Sequence, residues 1–190
     1  MSTSRRRQAL TEAALGYVLV HGLPDLSLRP LAASLDTSDR MLIYHFGSKD
    51  GLLDAVLDLA NARLAEAFAT LDGKPRTGQE VVERAWRLLT LPRSGAISGL
   101  YFEVCALSLR QPQRWAAVHH RLRQPWLRLV HDDLCRLGIA ADRATALATL
   151  VVDALDGLAL DRLVSGDTAR IDAAVHELGL LLTRSTAPPP

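Results

Sequence analysis

Apolar positions recur along this chain at helical spacing, not alternating spacing. Leu10, Ala14, Tyr17 and His21 share one face of a segment that begins near Ser4, with Ala13 and Val20 beside them, the i, i+4, i+7 rhythm of an amphipathic helix. Gly22 then offers a left-handed terminator, with Leu23 as its folded-back apolar partner. Behind Ser27, a good N-cap residue, Leu28, Leu31, Ala32 and Leu35 form a second stripe. Pro30 falls in the first turn, where a missing N–H leaves no helical bond unmade. Asp36-Thr37 predicts a tight turn, Ser38 caps a third helix that ends by Phe46, Gly47 breaks it, and Ser48 caps again. Leu52, Leu53, Val56, Leu57, Ala60, Leu64, Ala67 and Phe68 then continue one helical face.

"DGKPRTGQ", residues 72 to 79, is a linker rich in turn formers. Beyond it the pattern predicts helices at 79–91, 96–110, 112–137, 141–165 and 168–184, separated at Pro92, Pro112, Gly138 and Gly166. Pro125 lies inside one of them and predicts a kink or an interruption. Nothing reads as a strand, so the fold class expected is all-α. The closing "APPP" is expected to be extended or disordered.

Composition narrows the classes. Hydrophobic residues at 48% and charged ones at 23% describe a globular chain, and no apolar run reaches the roughly 18 residues of a membrane span. No membrane partner is expected. Arg5-Arg6-Arg7 resembles the start of a secretion signal, but Glu12 falls where the apolar region should be. Cys105 and Cys135 form no CxxC and no disulfide framework. A cytoplasmic location is therefore expected. His119, His120 and His131, with either cysteine, match no zinc spacing. No metal and no cofactor is expected. No Ser/His/Asp arrangement, phosphate loop or carboxylate pair stands out, so an enzyme is not expected.

The first 50 residues carry the chemistry. Three short helices, the second and third joined by a tight turn, make a helix-turn-helix pattern. Leu31, Leu35, Leu42 and Phe46 can meet across that turn, which frees the outer face of the third helix to enter a DNA major groove. Its first residues, Asp39, Arg40 and Met41, with Tyr44 a turn later, would reach base edges. At Ser48-Lys49 the positive end of the next helix and an ammonium make a site for a phosphate oxygen. Residues 1 to 50 hold six basic side chains against five acidic ones, a weak positive footprint. The bland alternative is a three-helix bundle without a DNA role.

"LSLRPLAASLDTSDRMLIYHFGSKDGLL", residues 26 to 53, resembles the DNA-binding signature of the tetracycline-repressor (TetR) family of bacterial transcription regulators. The resemblance implies a three-helix DNA-binding domain over 1–53 and a helical effector-binding and dimerisation domain over 54–185, with a tail at 186–190. It implies a ligand-responsive repressor that grips a pseudo-palindromic double-stranded operator as a homodimer. By the resemblance, Arg29 and Arg40 join Asp39, Met41 and Tyr44 as base-contact candidates, and Ser27, His45 and Lys49 match phosphate-contacting positions. By the resemblance, Arg5 to Arg7 would form an arm beside the minor groove; the alternative is a solvated terminus. Two departures stand out: Ile43 where the family often has a tyrosine, and Asp36 in place of a turn glycine.

In the larger half, Leu147, Val151, Leu155 and Leu158 on one helix and Ile171, Val175, Leu178 and Leu182 on the next suit a four-helix dimer interface. The alternative is that they face their own chain's core. Trp86, Tyr101, Phe102, Glu103, Trp115, His119 and Trp126 are the candidate pocket for a small, mostly hydrophobic effector. The competing class is a helical enzyme or small-molecule carrier with an incidental N-terminal bundle.

Overall fold

A computed structural model describes residues 3–24, 26–69 and 73–186, and their side chains except at 68, 69 and 92–94. Among them the chain is all-α, as its apolar periodicity predicts: α1 (Thr3–His21), α2 (Leu28–Ser34), α3 (Asp39–Phe46), α4 (Lys49–Ala69), α5 (Gly78–Thr90), α6 (Pro92–Arg110), α7 (Pro112–Arg136), α8 (Ala141–Ser165) and α9 (Thr168–Thr186). The expected tail lies, from residue 187, outside the described residues. None of the described helices is long and apolar enough to cross a membrane.

The chain divides into two compact units. One is Met1–Glu66 with Gly99–His119; the other is Ala67–Ser98 with His120–Pro190. The first therefore takes in the end of α6 and the start of α7 as well as the N-terminal helices.

In the first unit the core is Leu10, Ala14, Leu15, Val18, Leu31, Ala32, Leu42, Leu52, Leu53, Val56 and Leu57, all buried. Glycine and aspartate set its corners. Gly22 adopts φ +78° after α1, and Asp36 takes φ +48° between α2 and α3, a left-handed geometry that Asp tolerates better than most residues. A Cβ at Gly51 would fall on the Phe46 carbonyl oxygen, so only glycine lets α4 start this close behind α3.

In the second unit α5 packs against α9 with backbones in close approach. A Cβ at Gly78 would stand 2.6 Å from Leu182 C and Thr183 N, and one at Gly179 3.1 Å from Gln79 Cα. Thr77 caps α5 by accepting from the Glu80 amide at 3.1 Å. Asp133 is buried and paired with Arg84 at 3.5 Å and with Arg136. Burial lifts its carboxyl above the ordinary value of 3.8, against the pull of Arg84 and Arg136.

Three expectations need correction. Helix α7 runs without interruption through Pro125. Helix α6 begins at Pro92, not at 96, with proline in the first helical position that favours it. Val151, Leu155, Ile171, Val175 and Leu182 are buried within the chain. These five interface candidates serve their own core, because α8 and α9 turn that stripe inward. Leu147, Leu158 and Leu178 are half-buried.

Candidate nucleic-acid interface

Helix α3 is held by caps at both ends. The Ser38 hydroxyl accepts from the Met41 amide at 3.2 Å, and Gly47 closes the helix with φ +78° while its amide donates to the Ile43 carbonyl. Only eight residues lie between. Leu42 and Phe46 are buried, which roots the helix on α1 and α2. The opposite face is open: Asp39, Arg40, Met41, Ile43 and Tyr44 are exposed, Tyr44 to 70%. Asp39 Oδ1 accepts from the Arg40 amide at 2.8 Å, so its carboxylate is partly used in closing the first turn. Arg29, on α2, is exposed too.

The phosphate candidates fare differently. Ser27 is exposed at the N-cap of α2 and makes no side-chain capping bond there. The Lys49 ammonium donates to the Leu26 carbonyl oxygen, so it ties the α1–α2 corner to the start of α4. His45 departs from expectation. Both of its ring nitrogens are buried without a hydrogen-bond partner.

Arg7 makes contacts at the end of α3. Residues 5 to 7 are helical within α1. Arg7 Nε donates to the His45 carbonyl at 3.2 Å, and its guanidinium lies 5.2 Å from the Phe46 ring centroid. It braces the end of α3. The local pattern gave no signal for this, since the partner lies 38 residues away.

The effector candidates divide between the units. In the first, the Tyr101 hydroxyl lies 3.3 Å from His119 Nε2 with the rings stacked. Phe102 is tilted against Tyr101 at 5.6 Å, and Trp115 is buried beside the Arg114 guanidinium. Glu103 is committed to the fold, its Oε2 accepting from the Leu23 amide at 2.6 Å. In the second unit Trp86 is buried and donates from Nε1 to Asp172 at 3.1 Å, an oxygen that Arg162 also reaches at 2.8 Å. Trp126 is half-buried there. Trp86 thus has its polar group engaged by Asp172 of α9, and Glu103 by the corner between α1 and α2.

Comparison with known proteins agrees with this geometry. Residues 10–56 match the model of the bacterial regulatory proteins of the tetR family. The chain is 26% identical over 179 residues to the HTH-type transcriptional regulator BetI of Pseudomonas fluorescens, across 90% of this chain and 88% of that one. A TetR-family transcriptional regulator from Rhodococcus sp. superposes with a TM-score of 0.78 at 17% identity, covering 94% of this chain and 99% of its own. The multidrug binding protein EbrR, solved with imidazole, gives a TM-score of 0.67 at 26% identity over 97% of this chain and 96% of its own. A short capped helix with an uncovered outer face, carried on a helix-turn-helix inside the matched segment, makes residues 10–56 of this chain similar to the DNA-binding part of the tetR-family bacterial regulatory proteins.

Proposed function

We propose that the protein is a cytoplasmic, ligand-responsive repressor that binds a pseudo-palindromic operator as a homodimer. The observation that carries this reading is the outward face of α3, where Asp39, Arg40, Met41 and Tyr44 stand exposed while Leu42 and Phe46 anchor the helix from behind. Arg40 and Arg29 are the groups suited to bidentate contact with guanine edges, and Ser27 and Lys49 the ones that meet phosphate. Residues 1–53 form the DNA-binding part and 54–185 the part that senses and pairs.

Pairing uses the other side of α8. Leu150, Gly157 and Val164 follow one another at seven-residue spacing, with Leu150 61% and Val164 80% exposed. No atom lies within 4 Å of where a Cβ at Gly157 would stand, which leaves room for a second helix to approach. Leu181, exposed on α9, and the half-buried Leu147, Leu158 and Leu178 extend the surface. Two such hairpins bury this apolar surface in a four-helix bundle.

The effector is a small, mostly hydrophobic molecule, with Tyr101, Phe102 and His119 as its aromatic contacts. EbrR, with its bound imidazole, supports a ligand-sensing role for the helical part. Effector binding shifts the dimer between two spacings of its α3 helices and lowers operator affinity.

The test is selection of bound duplexes from random DNA, followed by titration of the selected site over a range of salt. A repressor of this kind recovers a two-fold symmetric site, with affinity falling steeply as salt rises. No selected sequence, or salt-independent binding, would favour a helical carrier or enzyme instead.

A further inference from the structure

In the first unit, the segment Gly99–His119 makes two polar ties to the helix-turn-helix. Glu103 on α6 accepts from the Leu23 amide at 2.6 Å, in the corner between α1 and α2. Arg114 on α7 pairs with Asp50 in the first turn of α4. The first tie is built into the backbone. Gly22 stands at φ +78°, and a Cβ there would meet the Glu103 carboxylate oxygens at 3.1 and 3.3 Å. Glycine therefore provides both the turn and the room for the carboxylate.

From that corner a chain of bonds leads to the DNA-facing helices. The Leu26 amide donates to the Leu23 carbonyl at 3.2 Å. The Leu26 carbonyl in turn accepts from the Lys49 ammonium, at the start of α4 and three residues beyond the end of α3. On the other side, Glu103 lies two residues from Tyr101, whose hydroxyl faces His119. Tyr101 and the carboxylate thus share α6, and the carboxylate holds the corner that Lys49 ties to the start of α4.

We propose that Glu103 is a positioning residue for DNA recognition: by holding the Leu23 amide it fixes the α1–α2 corner, and through Lys49 it sets the pose of α3. This rests on the DNA-binding reading above, and a displacement of α6 near Tyr101 reaches the recognition helix through this carboxylate. The bond needs an acceptor, not a charge. Glu103→Gln keeps an oxygen in place and retains the tie, whereas Glu103→Ala loses it.

The experiment compares wild type, Glu103→Gln and Glu103→Ala as full chains, by amide hydrogen exchange and by affinity for a duplex that the wild type selects from random sequence. Exchange at Leu23 should quicken about tenfold or more in Glu103→Ala and stay near wild type in Glu103→Gln, as expected for loss of a hydrogen bond to a charged group. Duplex affinity should follow the same order, about five- to tenfold weaker for alanine and within about twofold for glutamine. Should Glu103→Ala not fold, Glu103→Met, which keeps the length without the acceptor, takes its place. Wild-type exchange and affinity in the folded alanine or methionine variant would overturn the proposal, as would a glutamine variant as impaired as alanine. If the wild type selects no duplex, it is the functional reading that has failed, and exchange at Leu23 still decides whether Glu103 holds the corner.

Discussion

Helices α3 and α8 each leave one face uncovered by their own chain, and the two faces differ in chemistry. The α3 face offers a carboxylate, a guanidinium, a thioether and a phenol on a helix too short to bury much. The α8 face offers leucine, glycine and valine at heptad spacing on a helix of 25 residues. Hydrogen-bonding groups spread over two turns suit a surface of polar edges such as a major groove. Apolar side chains around a bare glycine suit another apolar helix. What a helix leaves uncovered therefore indicates the class of its partner, even where the buried sides of the two look alike.

The largest effect expected lies beneath these faces. The α3 face keeps its charges in water, but the second unit buries one. Asp133→Ala should lower unfolding free energy by about 3–5 kcal/mol in urea titrations at neutral pH, since Arg84 is left partly buried without its carboxylate. The pH dependence has a definite sign. Burial raises the Asp133 carboxyl above 3.8, so the folded chain holds this proton more tightly than the unfolded chain. The stabilisation from that proton is complete below the unfolded value and is lost as pH rises through the folded one. The difference in stability between wild type and Asp133→Asn should therefore shrink on going from acid to neutral pH. A difference that grows would show that the arginines, not burial, control this carboxyl.

Next in size is a paired test of the two sides of α8. Leu155→Ala, on the buried side, should cost about 2–5 kcal/mol of stability. Leu150→Glu, on the open side, should leave the fold of a single chain intact and instead shift sedimentation from dimer to monomer. If Leu150→Glu stayed dimeric, the open face of α8 would not be where two chains meet.

Arg40→Ala should then weaken binding to a selected duplex by about 1–3 kcal/mol and relax preference at one base position in each half-site, as expected for a lost bidentate contact. Repeating the selection with the variant checks this. An unchanged consensus would remove Arg40 from the base-reading set and leave Arg29 as the remaining guanidinium on that side.

The comparison also explains which parts were legible in the sequence. Caps and corners act through neighbours: Ser38 with Met41, Gly22 with α1 and Asp36 between two helices all write their reasons within a few residues. Those were readable, and they define the DNA-binding half. An apolar stripe says that a face is covered but not by what. Val151, Leu155, Ile171 and Val175 fit a partner's helix and their own core equally well, and the fold decides for the core. Polar ties between distant segments leave no periodic trace. Glu103 with Leu23 spans 80 residues, and Trp86 with Asp172 spans 86. Their side chains therefore read as pocket candidates, and the ties they make appear only in the fold.

Lys49 belongs both to a corner and to the DNA-facing side, and its replacement carries the smallest effect. Its position at the start of α4 points to phosphate, while its ammonium already serves the Leu26 carbonyl. An ammonium has three donors, so one bond to a carbonyl leaves two for a phosphate oxygen. If both roles hold, Lys49→Ala should weaken all duplex sequences about equally and reduce the slope of log affinity against log salt by about 1. If the ammonium serves only as a tie, no counterion is released through it, and the salt slope should stay at the wild-type value while affinity falls through a misplaced α3. Measuring the slope for Lys49→Ala beside that for Glu103→Ala separates the two. The glutamate variant breaks the same corner without removing a cation, so a slope lost in the first and kept in the second assigns the phosphate contact to Lys49.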